Sequence, residues 1–345
     1  MGEPRFPVLF ITSTRIGDAV LSSGLIARLV EEAPHASFTI ACGPLAAPLF
    51  RDLPGLERII PMVKQPNGMH WFQLWRQVRS RRWGLVLDMR GSGLARVLRA
   101  KRRAVKTSAS AGASPEHKVM EAARLLMLEN DPPSPRLFVG SQHQSLADQL
   151  VPKGAPILAM APAAKWVGKT WPAERFAVVA AELLNEGGPM AGGRLLLLGG
   201  EGDRFAAEAV RRVTPRGRTI DLVGRTDLLT AYACLAKARL FIGNDSGLMH
   251  MAAAAGAPTL GLFGPSDERL YGPWGPHTRA LRGARDLETY KRIDPHLNQQ
   301  ISHMADLPVE WVSTAARSLL RDTQAPLRAA PAAPPSSAKG AAVLG

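Results

Sequence analysis

The stretch that most constrains the fold lies at residues 241–267, FIGNDSGLMHMAAAAGAPTLGLFGPSD. Its apolar start predicts a strand, its polar centre at 243–247 a tight turn, and its small residues a helix that Gly256 and Pro258 end. A second apolar strand follows at 259–263. Because free backbone N–H groups at the start of such a helix favour an anion, the turn is a candidate diphosphate site. A Gly-rich turn of this kind also occurs in many α/β proteins that bind nothing there.

The same alternation of strands and helices continues along the whole chain. Apolar runs predict further strands at 7–12, 37–42, 56–62, 84–88, 157–162, 194–198 and 219–222. Helical spacing predicts helices at 19–32, 71–82, 96–103, 118–128, 173–184 and 228–237. Such alternation is typical of parallel sheets that bind ligands at their carboxyl edges.

We therefore predict an α/β fold with two Rossmann-like domains that face a cleft. The Pro-rich breaks place the domain boundary near 140–155, which gives a first domain at 1–150 and a second at 151–322. The segment 106–115 is small and polar and predicts a mobile loop. The Ala/Pro-rich residues 323–345 show no periodicity and predict a disordered tail.

Composition narrows the class of protein. The 345 residues are 46% hydrophobic and 21% charged, as in globular proteins. The two cysteines, Cys42 and Cys234, lie far apart and beside no histidine, which argues against a disulfide framework and a zinc site. No stretch has the length of a membrane span, and we see no signal peptide. We therefore expect a cytoplasmic protein without a bound metal.

The net charge of +14 is unevenly distributed. Residues 64–118 contain 13 Lys/Arg against 2 Asp/Glu, a net charge of +11. Such a segment attracts nucleic acid, anionic lipid or an anionic substrate, although it is also compatible with a simple solvated face. Few aromatic residues interleave the basic ones beyond Trp71, Trp75 and Trp83, which disfavours single-stranded nucleic acid as the partner.

Asp18 is the first candidate catalytic residue. It follows the first predicted strand and therefore lies at the carboxyl edge of the first sheet. A carboxylate there can act as a general base, bind a hydroxyl group, or cap the following helix. Gly17 just before it would allow the backbone to approach a ligand closely.

Several motifs together resemble one family. The strongest is GNDSGLMH at 243–250, with the small residues and the FGP sequence that follow it. The others are TSTRIGD at 12–18, LDMRG at 87–91, KTWP at 169–172 and LVGRT at 222–226. In this combination and order, the chain resembles the heptosyltransferases of lipopolysaccharide core synthesis, glycosyltransferase family 9, over nearly its whole length apart from the tail.

The resemblance implies a GT-B fold and an inverting, metal-independent transfer of heptose from ADP-heptose to a growing lipopolysaccharide core. It implies no cofactor, since the ADP-sugar is a substrate. The acceptor hydroxyl must lose a proton as it attacks the anomeric carbon, and the departing ADP must be stabilised. Asp18 matches the family's proposed general base.

The resemblance also implies a donor site in the second half. Its candidate residues are Lys165, Lys169, Glu201, Asp245, Ser246, Gly247 and His250. Lys169 matches the basic residue that contacts the donor phosphates. Glu201 matches a carboxylate near the ribose, a position for which Asp203 competes. Asp245 matches the residue near the sugar hydroxyls, and the amides that follow it would bind the diphosphate.

Two of these donor-site candidates have alternative interpretations. His250 either touches the donor or packs as an ordinary helix histidine. Lys165 stands where relatives more often have Ser, Thr or Glu. It is either a second phosphate contact or a sign of a different donor.

The basic segment obtains a candidate partner from the same resemblance, because the acceptor is an anionic glycolipid such as Kdo-lipid A or a core intermediate. The acceptor-binding candidates are Thr14, Lys64, Arg90, Arg102 and Arg103, with Lys101 and Lys106 nearby. The same charges are suited to peripheral contact with the anionic inner membrane. Nucleic acid is not an expected partner.

Two other functions compete with heptose transfer. One is a family 9 glycosyltransferase that uses another nucleotide sugar for a different surface glycan. The other is a non-catalytic protein that binds an anionic glycan on the same scaffold. The presence of Asp18, Lys169 and Asp245 together argues against the second, because a binding protein needs no base facing a donor site.

Overall fold

The first half of the chain forms a parallel five-stranded sheet. A computed structural model describes residues 6–107, 115–297 and 300–323. The strands, in the spatial order β3-β2-β1-β4-β5, are β1 (Phe6–Ile11), β2 (Ala36–Cys42), β3 (Leu56–Pro61), β4 (Trp83–Asp88) and β5 (Ala100–Val105). The helices are α1 (Ile16–Leu21), α2 (Ser23–Glu32), α3 (Met69–Val78), α4 (Leu94–Val97), α5 (Lys118–Arg124) and α6 (Ser141–Leu150). The central strands β1 and β4 are apolar except for Asp88 at the end of β4, as expected for a parallel sheet covered by helices on both faces.

The second half forms a six-stranded sheet with every pair parallel. In the spatial order β11-β10-β9-β6-β7-β8, its strands are β6 (Ile157–Ala161), β7 (Arg194–Leu197), β8 (Thr219–Asp221), β9 (Leu240–Asn244), β10 (Thr259–Phe263) and β11 (Thr278–Arg282). Its helices are α7 (Ala173–Leu184), α8 (Arg204–Arg211), α9 (Leu228–Leu235), α10 (Gly247–Ala254), α11 (Glu268–Tyr271), α12 (Leu287–Ile293) and α13 (Val309–Asp322). These two sheets confirm the predicted α/β fold with two Rossmann-like units.

The predicted helix at 96–103 is wrong. The chain forms only the short helix α4 there and then enters strand β5, which pairs with β4. Lys101 and Arg103 are exposed, whereas Arg102 between them is half-buried. This alternation has the period of a strand, and charged residues are common on edge strands because they discourage pairing with other chains.

The predicted helix at 19–32 begins earlier and is interrupted at Ser22. The Ser22 hydroxyl donates to the Ala19 carbonyl and accepts from the Thr12 hydroxyl at 2.9 Å, so it competes with regular helix geometry. Helix α1 therefore ends at Leu21. Asp18 lies in the first turn of α1 and not on the loop before it, which corrects the predicted position.

Helix α6 occupies the segment where we place the domain boundary. It packs against α9 of the second half, and the Lys237 ammonium donates to the carbonyls of Ala147 and Val151, both at 3.0 Å. Most of the predicted mobile loop and residues 324–345 of the predicted tail lie outside the described residues. Across the described ranges, no helix is both long and apolar enough to cross a bilayer.

Candidate active site

The turn after β9 carries the carboxylate of Asp245. Its Oδ2 atom accepts from the Lys169 ammonium at 2.6 Å and from the Ser266 hydroxyl at 2.7 Å. Its Oδ1 atom lies 3.8 Å from Nε2 of His250, beyond hydrogen-bond distance. The side chain of Asp245 is only 8% exposed. Asp245 thus holds a cation on one oxygen and keeps acceptor capacity on the other.

Asn244 connects this turn to the loop that carries Lys169. Its buried side chain accepts from the Trp171 backbone N–H and donates to the Pro162 carbonyl, both at 3.0 Å. Strands β6 and β9 are neighbours in the sheet, so the loops after them meet at the same carboxyl edge. Asn244 therefore fixes the distance between the two loops and places Lys169 beside Asp245. Asn244 belongs to the GNDSGLMH motif, and nothing in that motif by itself predicts this structural role.

Helix α10 begins at Gly247, immediately after this turn. Ser246 is its N-cap residue, and the Ser246 hydroxyl makes no side-chain cap. That hydroxyl is buried without a hydrogen-bond partner in the described part of the chain. The first backbone N–H groups of α10 also lack helical partners and suit an anion.

Helix α1 of the first half packs directly on the start of α10. A Cβ atom added to Gly247 would lie 2.7 Å from Cγ2 of Ile16, and one added to Gly17 would lie 2.9 Å from Cδ2 of His250. Both positions therefore need glycine for this close approach. Gly17, for which we predicted a close approach of the backbone to a ligand, approaches the other half of the protein at this point. The contact brings Asp18, whose Oδ2 accepts from the Ser13 hydroxyl at 3.2 Å, to the donor-side helix.

His250 is buried between the two halves. Burial lowers the pKa of its imidazole to about 4, although the carboxylates of Asp245 and Asp18 act in the opposite direction. His117 and Lys169 also lower this pKa. The Nδ1 atom of His250 has no partner among the described residues. At neutral pH this ring is uncharged, and it lies beside Asp245 and close to Gly17 of α1.

The remaining donor candidates lie on neighbouring loops. Asp203 caps its own turn, because its carboxylate accepts from the Gly200 N–H at 2.8 Å. Glu201 is exposed, and its carboxylate makes no hydrogen bond or ion pair within the described ranges. Lys165 is likewise exposed on the loop before Lys169. Of the two carboxylates that the sequence offers as ribose contacts, only Glu201 lacks a partner among the described residues.

The acceptor candidates are spread over several loops and one strand of the first half. Thr14 is half-buried against Gly43, and Lys64 is exposed after β3. Arg90 is exposed after β4 and lies over the Trp71 ring at 5.2 Å. These positions are at the carboxyl edge of the first sheet.

The basic residues of β5 and the residue that follows it differ in their contacts. The Arg103 guanidinium donates to the carbonyls of Ala95 at 2.8 Å and Leu98 at 2.7 Å, which ties β5 to α4. Arg102 is half-buried on the same strand, and Lys101 is exposed. Lys106 pairs with Glu121 at 2.6 Å. Arg103 and Lys106 thus have structural partners inside the first half.

A cross-cleft contact was missed by the sequence analysis. Nδ1 of His117 accepts from the Val119 N–H, so Nε2 carries the proton and donates to the Gly272 carbonyl at 2.9 Å. The His117 ring also packs on Trp274 with ring centroids 4.8 Å apart. Nearby, the Lys118 ammonium lies 5.8 Å from the ring centroid of Tyr271. No local sequence pattern predicts this contact, because His117 and Gly272 are 155 residues apart.

A metal centre is not evident in the portion of the chain that the structure describes. There, no group of three or more His, Cys, Asp or Glu side chains is arranged to hold a metal ion. The positive charge at the candidate site comes from Lys169 and from the backbone at the start of α10.

The fold defines a class, the two-domain α/β proteins of the GT-B type, and the site adds Lys169 and the start of α10 on one half and the Asp18 carboxylate on the other. The model of glycosyltransferase family 9 (heptosyltransferase) matches residues 71–298. The chain therefore belongs to glycosyltransferase family 9 and is a glycosyltransferase.

Curated relatives with heptosyltransferase names are similar to this chain. Lipopolysaccharide heptosyltransferase 2 of Salmonella typhimurium is 24% identical over 309 residues, which cover 80% of this chain and 87% of that protein. Lipooligosaccharide heptosyltransferase 2 of Haemophilus influenzae is 31% identical over 131 residues, which cover 37% of this chain and 36% of that protein.

Two solved structures share the fold. A glycosyl transferase family 9 protein from Veillonella parvula superimposes with a TM-score of 0.73 at 20% identity, over 93% of this chain and 99% of that one. The E. coli ADP-heptose lps heptosyltransferase II superimposes with a TM-score of 0.71 at 21% identity, over 92% of this chain and 100% of that one.

Proposed function

We propose that the protein transfers a heptose from ADP-heptose to the inner core of lipopolysaccharide, with inversion and without a metal ion. The observation that carries this proposal is the packing of α1 on the start of α10. It brings α1, which carries the Asp18 carboxylate, to the start of α10 in the second half, where the Lys169 ammonium pairs with Asp245. Relatives with a heptosyltransferase name support the choice of sugar.

The donor would bind at the turn after β9. The Lys169 ammonium has three N–H donors and uses one for the hydrogen bond to Asp245, so the others could donate to the diphosphate. The N–H groups at the start of α10 would bind the same anion. The free Oδ1 atom of Asp245 would accept a hydroxyl of the sugar. Glu201 would contact the ribose, and Lys165 is a second candidate for the phosphates.

The reaction is then a single displacement. The acceptor hydroxyl loses its proton to the Asp18 carboxylate as its oxygen attacks the anomeric carbon. The bond from that carbon to the diphosphate oxygen breaks, and ADP leaves with the electron pair. Lys169 and the α10 amides would stabilise the negative charge that develops on the departing diphosphate. Attack from the face opposite ADP inverts the anomeric centre.

Neutral His250 fits a packing role in this scheme. Its pKa of about 4 leaves the ring uncharged at neutral pH, so it does not act as a general acid. It would pack beside Asp245 at the start of α10, where it meets Gly17 of α1. The acceptor would be an anionic glycolipid bound along the basic edge that includes Thr14, Lys64 and Arg90. We expect the enzyme to act in the cytoplasm, at the cytosolic face of the inner membrane.

The proposal is tested by incubating the purified full-length chain with ADP-heptose and a truncated core acceptor, with and without EDTA. Mass spectrometry of the product and ADP release would be measured. We expect the acceptor to gain one heptose at equal rates in both conditions. No transfer would contradict the reaction, and loss of transfer on chelation would contradict the metal-free mechanism. A panel of ADP-, UDP- and GDP-sugars identifies the donor, and a preference for another sugar would replace heptose.

A further inference from the structure

The outer face of α3 combines exposed apolar residues with arginines. Leu74 and Val78 are buried and hold the helix on the first sheet. The opposite stripe, spaced i, i+3, i+7 and i+10, consists of Met69, Phe72, Arg76 and Arg79. Met69 is 48% exposed and Phe72 is 52% exposed. A stripe with this spacing is a continuous helix face, and nothing among the described residues covers it.

Aromatic rings and guanidinium groups are packed together along this face. The rings of Phe72 and Trp75 stack with centroids 5.7 Å apart, and Arg79 lies 4.9 Å from the Trp75 ring centroid. The exposed apolar side chains of α3 are therefore bordered by guanidinium groups on the same helix.

The charged residues in the segment that contains α3 are all basic. Residues 64–82 contain five Lys/Arg and no Asp/Glu. Within the described ranges, no acidic side chain forms an ion pair with Arg76 or Arg79. A surface of this kind needs a partner that offers both negative charge and an apolar layer.

We propose that the outer face of α3 docks on a bilayer that contains anionic phospholipid. Met69 and Phe72 would enter the boundary between headgroups and acyl chains, while Arg76 and Arg79 bind lipid phosphates. Two copies of this chain would not pair through this face, because its uncompensated arginines repel each other. Single-stranded nucleic acid needs free rings for stacking, whereas Phe72 and Trp75 already stack on each other.

The position of α3 determines where a docked bilayer would lie relative to the cleft. The helix follows β3 and the exposed Lys64, at the carboxyl edge that also carries Asp18. A bilayer on the outer face of α3 would therefore lie beside the mouth of the cleft. This inference goes beyond the proposed transfer and does not depend on it, since lipid binding needs no donor or acceptor.

The test is sedimentation of the full-length chain with sucrose-loaded vesicles. One set contains phosphatidylglycerol and phosphatidylethanolamine, and the other contains only phosphatidylcholine. We expect at least about tenfold stronger partition to the anionic vesicles, weakened by salt. Phe72→Ala should lower this partition about tenfold, and Arg76→Glu with Arg79→Glu about 100-fold or more. The control Phe205→Ala removes a ring of α8 that is 90% exposed, and it should leave partition unchanged.

Thermal unfolding of each variant should match the native chain, because these side chains point outward. Equal partition of the native chain to both vesicle types would overturn the proposal, as would unchanged partition of Phe72→Ala. Self-association that Phe72→Ala abolishes would assign the face to a second copy instead. Transfer to a soluble truncated acceptor is measured separately, so failure of lipid binding and failure of the proposed reaction are distinguishable.

Discussion

The Lys169 ammonium lies 2.6 Å from the Asp245 carboxylate, across the carboxyl ends of the adjacent strands β6 and β9. Ser266 donates to the same carboxylate oxygen and fixes its orientation. The pair holds the lysine beside the turn that leads into α10, and in the proposed reaction this cation would be in place before the donor binds. A cation that is already in position needs little rearrangement to stabilise the charge that develops on a leaving group.

Replacement of Lys169 by alanine should weaken ADP binding. The lysine would contribute a charge-assisted hydrogen bond to the diphosphate, so we expect the Kd for ADP to rise about 10- to 100-fold. Isothermal titration calorimetry measures this change directly. Lys153→Ala, an exposed loop lysine of the same half, is the control and should bind ADP like the native chain. An unchanged Kd in Lys169→Ala would remove this residue from the phosphate site.

Replacement of Asn244 by alanine should destabilise the second half. The change leaves the buried Trp171 N–H and Pro162 carbonyl without their partner, and each loss costs roughly 1–3 kcal/mol. We expect the free energy of unfolding in urea to fall by about 2–5 kcal/mol. Asn185→Ala, at an exposed helix end, should change it little. Equal stability of the two variants would mean that Asn244 does not tie the loops together.

His250 should make stability sensitive to acid. Its pKa is lowered from 6.5 to about 4 in the folded chain, so the unfolded chain binds a proton more readily between these values. The stability that this neutral imidazole contributes is complete above pH 6.5 and is lost as the pH falls toward 4. The loss amounts to roughly 3 kcal/mol by pH 4.

Urea unfolding of the native chain and of His250→Gln between pH 7.5 and 4.5 measures this effect. Glutamine does not titrate, so the difference in stability between the two chains should change with pH. The native chain should lose more stability than the variant as the pH falls. Parallel curves for the two proteins would show that His250 keeps an ordinary pKa.

Much of the second-half site follows from sequence because its residues lie at the ends of recognisable strands. Lys169 follows β6 and Asp245 follows β9, and parallel strands place such residues at one edge. The polar residues at 243–247 also predict the turn before α10. Strand direction and helix starts depend on neighbouring residues, so these local sequence patterns can predict them.

Other features depend on contacts that no local pattern reveals. The packing of Gly17 on His250 joins residues more than two hundred positions apart. Strand β5 was mistaken for a helix because its basic residues suit an exposed helix face as well as an edge strand. The break at Ser22 results from a hydrogen bond with Thr12, a partner that only the tertiary structure brings near.

The central claim is that Asp18 removes the acceptor proton while the second half holds the donor. The most direct measurement compares Asp18→Asn with Glu129→Gln, an exposed acid of the same half, for both ADP affinity and turnover. The account predicts that Asp18→Asn binds ADP with an unchanged Kd but loses about 10²- to 10⁴-fold in kcat, while Glu129→Gln matches the native chain. Native turnover in Asp18→Asn would contradict the account.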